Sequence, residues 1–71
     1  MGIVLHLAKS GRLIVKLKKE IPTNLILLDE KGRKVGKVVE LIGPVNSPYA
    51  SLIPLTDRIK RVIGEKVYKN G

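Results

Sequence analysis

One histidine and six carboxylates, with no cysteine, are the acid/base and metal-ligating side chains of this 71-residue chain. His6 is the only histidine and there is no cysteine, so His-based dyads and triads lack partners in their usual form, and His6 is expected to be a structural residue on a strand face. The carboxylates are Glu20, Asp29, Glu30, Glu40, Asp57 and Glu65. Only Asp29 and Glu30 are adjacent, and they open the run D-E-K-G-R, which has the composition of a turn. A solvated turn accounts for them better than an acid/base pair. Scattered single acids and one histidine do not make a metal site, and without cysteine there is no disulfide or thiolate-held zinc. Gly32 to Lys37 reads G-R-K-V-G-K, which resembles a phosphate-binding loop only in outline. Three residues separate the glycines instead of four, and Val38 stands where Ser or Thr would hold magnesium. No catalytic residue, cofactor or metal is expected, so the chain is read as a non-enzyme.

The remaining reactive resource is positive charge. Lys and Arg number 14 against 6 Asp and Glu, a net charge of +8. An excess of this size in so small a domain suits polyanionic surroundings, most often nucleic acid. Lysines on outer strand faces also keep a thin domain soluble. The basic residues fall into three groups: Lys16, Lys18 and Lys19; Lys31, Arg33, Lys34 and Lys37; Arg58, Lys60 and Arg61. Lys16, Lys18, Lys31 and Arg33 are the candidate contacts to RNA phosphates. Single-strand binders stack bases on several aromatic rings, and this chain has only Tyr49 and Tyr68. Phosphate contact alone is weak and salt-sensitive. RNA in the surroundings is therefore expected, without a base-reading surface.

The elements that must carry these residues are short strands. Arg12 to Lys18 alternates, with Leu13, Val15 and Leu17 on one side and Arg12, Lys16 and Lys18 on the other. Gly2 to Ala8 precedes it, and Lys9-Ser10-Gly11 between them has the length of a hairpin loop. Pro22 and Asn24 interrupt the chain before the apolar run Leu25 to Leu28. Gly32 can take positive φ in the next turn. Val35 to Ile42 follows, where Gly36 suggests a bulge or bend. Pro48 to Ile53 and Glu65 to Lys69 complete six strands. Thr56 to Ile63 is expected to be a helical turn or structured loop, capped by Thr56 and ended by Gly64. Six short strands in a single domain, residues 1–71, are best satisfied by a small closed antiparallel β-barrel, an all-β fold without exposed edges. Leu13, Val15, Leu17, Leu27, Val39 and Val67 are expected to point inward. The charge-free stretch Leu41 to Thr56 is broken by three prolines and too short for a membrane span, and Met1 to Lys9 has no signal-peptide pattern. A soluble, cytoplasmic protein, monomeric in isolation, is expected.

Gly43 to Pro54 reads G-P-V-N-S-P-Y-A-S-L-I-P, and it follows D-E-K-G-R-K-V-G-K-V-V-E-L-I from Asp29. This pattern closely resembles the archaeal form of the glycine/arginine-rich subunit of H/ACA ribonucleoproteins. L-H-L-A-K-S-G-R-L-I-V from Leu5 and I-G-E-K-V-Y from Ile63 look like the same family. The resemblance covers nearly the whole chain, and G-P-V-x-x-P-Y is its most specific part. It implies a six-stranded barrel of the type shared with translation-factor second domains. It also implies a non-catalytic role in guide-RNA-directed pseudouridylation of rRNA. The subunit would bind the catalytic domain of the pseudouridine synthase, meet guide and substrate RNA indirectly, and aid substrate loading and release. The docking residues implied are Gly43, Pro44, Val45, Pro48 and Tyr49. Glu40 and Ile42 stand where Asp and Phe are common in the family, and no glycine/arginine-rich tail is present in these residues. A plain rigid turn would also explain two prolines and a glycine around Tyr49. The D-x-x-G-x-x-V-G-K-V stretch, Asp29 to Val38, also looks like the barrel of ribosome maturation factors, which keeps a direct RNA-binding or ribosome-assembly module as the alternative.

Overall fold

Glycines at the ends of alternating segments set the local structure. In a computed structural model, which describes residues 2–69, Gly11 and Gly32 both adopt positive φ, +88° and +80°. Each completes the same three-residue hairpin loop. The Ala8 amide donates to the Arg12 carbonyl at 2.8 Å, and the Asp29 amide donates to the Arg33 carbonyl at 2.9 Å. Gly11 and Gly32 close the inner turns by donating back to Ala8 and Asp29. A residue in the left-handed region after a tight turn is the usual way a three-residue loop matches the twist of its strands.

The strands are β1 (Gly2–Leu7), β2 (Leu13–Leu17), β3 (Ile26–Leu28), β4 (Lys34–Ile42), β5 (Tyr49–Pro54) and β6 (Lys66–Lys69), with one helical turn, α1 (Ile59–Val62), before β6. They form a closed barrel in the order β1-β2-β5-β4-β3-β6, and every neighbouring pair is antiparallel. The expected small all-β barrel is therefore the observed fold. Residues 1, 70 and 71 of the expected unit lie outside the described residues. The barrel interior holds Val4, Leu13, Val15, Leu17, Leu27, Val35, Val38, Ala50, Leu52 and Val67, joined by Ile21 from the β2–β3 connection and Val62 from α1.

Five of the six residues expected inward are buried; Val39 is not. On β4, Val38 pairs with Leu52 and Glu40 with Ser51, so Val39 is an extra residue in a bulge. The bulge shifts the alternation by one, which puts Val38 inward and leaves Val39 half-buried. The β3–β4 register is also irregular, with Val35 as the extra residue, and the β1–β2 register skips Leu5. Bulges add twist and bend, which lets short strands curl shut.

Gly36 lies between the two β4 bulges and marks a close approach. A Cβ there would sit 3.0 Å from both the Ile53 carbonyl oxygen and the Leu52 Cβ. Gly2 is tighter, since a Cβ would lie 2.7 Å from the Lys16 carbonyl oxygen. Thr56 does not cap α1. Its Oγ1 accepts from the Arg58 amide at 3.1 Å in the turn before the helix, and Arg58 holds the N-cap position without a side-chain cap bond. Gly64 does end the turn, at φ +86° and donating to the Val4 carbonyl at 2.7 Å.

Candidate functional site

Residues 43–48 connect β4 to β5, and their chemistry limits their motion. Gly43 adopts φ +93°, a region open to glycine at no steric cost. The Tyr49 ring lies so close over it that a Cβ would sit 3.3 Å from Tyr49 Cδ2. Pro44 and Pro48 fix φ at either side of the tip, and the Pro44 carbonyl accepts from the Ser47 amide at 3.3 Å. The Pro48 carbonyl accepts from the Leu17 amide at 2.9 Å, which fastens the end of the loop to β2. Val45 at the tip is 71% exposed.

The five candidate docking residues thus divide by role. Gly43, Pro44 and Val45 face solvent, Tyr49 is half-buried beneath them, and Pro48 is buried and serves as an anchor for the loop. Ile42, which the sequence reading did not include, is 47% exposed beside them. It pairs with Tyr49, Tyr49 with Lys16, Lys16 with Ile3, and Ile3 with Lys66. One row of neighbouring residues therefore runs from the loop across four further strand positions of the barrel wall.

The four candidate phosphate contacts do not form one track. Lys16 and Lys18 line a shallow groove of about 500 Å³ together with Ile3, Leu5, Lys66, Tyr68 and Ser47 of the loop. Lys31 and Arg33 line a different groove, of about 470 Å³, with Lys34, Arg58 and Arg61. That second groove joins two of the basic groups that are far apart in sequence, and it also contains Asp29, Glu30 and Glu65. Arg33 is partly committed there. Its Nε donates to Asp29 Oδ2 at 2.9 Å, while Asp29 Oδ1 accepts from the Lys31 and Arg33 amides, each at 2.9 Å. The hydrogen bond from the Arg33 amide is the main cause, ahead of the Arg33 side chain and the Lys31 amide, that holds the Asp29 carboxyl below the usual carboxylate range.

His6 is exposed on β1. Among the described residues, no three His, Cys, Asp or Glu side chains converge on a metal position, and no helix is long and apolar enough to cross a membrane.

No family model matches the chain. An uncharacterized protein of Methanocaldococcus jannaschii is 37% identical over 67 residues, which span 94% of this chain and 80% of that protein. An uncharacterized protein of Methanothermobacter thermautotrophicus is 25% identical over 72 residues, spanning 96% of this chain and 78% of that protein.

Proposed function

The chain belongs to one family with the Methanocaldococcus jannaschii protein; on its sequence resemblance, we propose that it is a non-catalytic, cytoplasmic subunit of an archaeal H/ACA pseudouridine synthase complex. It docks on the catalytic domain of the synthase and helps substrate RNA load and leave during rRNA pseudouridylation. The observation that carries this reading is the loop of residues 43–48. Two prolines, a glycine in the left-handed region and a bond to β2 hold it in one shape while Val45 projects into solvent. An apolar tip on a pre-ordered loop binds with little loss of conformational freedom. The residues that build it are those of the G-P-V-N-S-P-Y stretch on which the family resemblance rests.

A stable interface buries about 1,200–2,000 Å² in total, with a few apolar or aromatic anchors dominating its energy. The test is a binding assay of the full chain against the purified catalytic subunit of an archaeal H/ACA synthase. Val45→Glu places a charge in the apolar centre of the contact. It should weaken binding by about 2 kcal/mol or more, roughly thirty-fold, with an unchanged thermal melt. Lys18→Ala and Lys31→Ala should each change it by about 1 kcal/mol at most. Failure of the unmodified chain to bind the synthase refutes the reading. Unchanged affinity in Val45→Glu with loss in the lysine variants moves the interface to the basic faces.

The alternative, a direct RNA-binding or ribosome-assembly module, draws on the groove where Lys31, Lys34, Arg58 and Arg61 meet. Three carboxylates share that groove and no aromatic ring lines it, so isolated RNA should bind weakly and without sequence preference. Tight, sequence-dependent binding of RNA that survives physiological salt would favour the alternative.

A further inference from the structure

The outer wall of a small barrel in water ordinarily carries polar side chains at the positions that alternate with the core. The wall formed by β1, β2 and β6 departs from this. Ile3, Leu5 and Tyr68 are 44%, 39% and 39% exposed, and all three line the groove beside the docking loop. Leu5 follows buried Val4 and so faces outward by alternation, at a position where a polar side chain is ordinary, and it is also the extra residue where the β1–β2 register shifts. Lys16, Lys18 and Lys66 stand around these apolar groups, and among the described residues no carboxylate lines the groove. The groove of Lys31 and Arg33 differs in just this respect, since it carries its own acids.

We propose that this groove is a second half of the docking surface and takes an extended acidic segment of a partner protein that also presents aliphatic side chains. The charge is complementary to a polyanion, with three lysines and no carboxylate among the described residues that line the groove. The aliphatic floor selects the class of polyanion. Ile3 and Leu5 offer no face on which a base can stack, and Tyr68 alone is a poor platform for nucleic acid. Lys16 on β2 and Lys18 in the bend just beyond it both line the groove, and two residues of extended chain span about 7 Å. An extended peptide presents its alternate side chains at the same pitch, so its carboxylates can meet the two ammonium groups in register. Aliphatic side chains that share that inward face of the segment then meet Ile3 and Leu5. The barrel is closed, so the segment lies across the wall through side chains and does not add a strand. Ser47 belongs to both the loop and the groove, and Lys16 pairs with Tyr49, so one partner could cover both.

The inference rests on the docking reading for a protein partner, but not on that partner being the synthase. The test is amide-shift mapping on the full, isotopically labelled chain with three probes: an eight-residue peptide with glutamate and leucine at alternate positions of one face and serine between them, its lysine counterpart, and oligouridylate of equal length. The glutamate peptide should shift the amides of Gly2, Leu5, Lys18, Ser47 and Tyr68, weakening as salt rises, and the lysine peptide should not. The double variant Lys16→Glu with Lys66→Glu should invert that preference by ten-fold or more. Leu5→Ser, which keeps every charge, should weaken the glutamate peptide about three-fold or more and serves if the double variant does not fold. Equal response to both peptides, no response, or shifts centred on Lys31 and Arg58 would overturn the inference. So would tighter binding of oligouridylate at the same amides. A groove that takes the glutamate peptide in a chain that ignores the synthase refutes only the function proposed above. A chain that binds the synthase through Val45 but ignores the glutamate peptide refutes only the groove.

Discussion

Replacing Val38 by alanine removes two methyl groups from a position with no exposure to solvent. At about 0.8 kcal/mol per buried methylene-sized group the lost transfer energy is about 1.6 kcal/mol. The cavity left in a core that relaxes only partly brings the loss to about 2–3 kcal/mol. In a domain of this size each kcal/mol shifts the melting temperature by about 4–8 °C, so Val38→Ala should melt about 10–20 °C lower. Val39 is its neighbour in sequence and identical in type, yet it occupies the bulge and is half-buried. Val39→Ala should cost less than about 1 kcal/mol and shift the melt by a few degrees. Thermal melts followed by circular dichroism compare the pair, and urea midpoints at constant slope confirm that stability alone has changed. If Val39→Ala matched or exceeded Val38→Ala, the bulge would be misplaced and the inward face of β4 reversed.

Gly2→Ala should lower stability by about 1–3 kcal/mol, because its Cβ would press on the backbone carbonyl of Lys16 at 2.7 Å, where no flexible side chain can yield. An unchanged melt would show that β1 does not approach β2 so closely. Asp29 titrates below its usual value of 3.8 in the folded chain, so its stabilising contribution is present above that pH and is lost as pH falls through the lower folded value. Acidification from pH 4 downward should therefore lower the melt of the native chain more steeply than that of Asp29→Asn, and equal slopes would remove Asp29 from the account.

The parts of the fold that were legible in the sequence are those specified locally. Alternation from Arg12 to Lys18 and glycine three residues into each loop are sufficient to write the β1–β2 and β3–β4 hairpins. Closure follows from six short strands that would otherwise leave edges. That β4 is bulged was legible at Gly36, but which residues are extra was not, because Val38 and Val39 are equally apolar and only cross-strand pairing decides between them. Gly36 drew attention to the right segment, although its own role is close contact with Leu52 and Ile53. At the candidate site, the rigid loop was legible from its prolines. That Pro48 turns inward was not, since its burial depends on the bond to Leu17 of another strand. The meeting of Lys31 and Arg33 with Arg58 and Arg61 was equally out of reach, because the connection from β5 brings the two segments together only in three dimensions.

The pairing of Gly2 with Val67 has a kinetic meaning as well as a structural one. The three hairpins β1–β2, β3–β4 and β4–β5 join strands that are neighbours in sequence and can zip quickly from their turns. The seam of β1 with β6 joins segments from nearly opposite ends of the described chain, through the pairs Gly2–Val67 and Ile3–Lys66 and the bonds of Val4 to Gly64 and Glu65. The ordering entropy of that long loop must be met before the seam returns any contact energy. Folding should therefore wait on β6: hairpins gather early, Val4 and Val67 stay wet until the ends find each other, and the rate-limiting event is the shutting of the cylinder. Shortening the search, for instance by tethering the two ends, would speed folding more than strengthening any single hairpin.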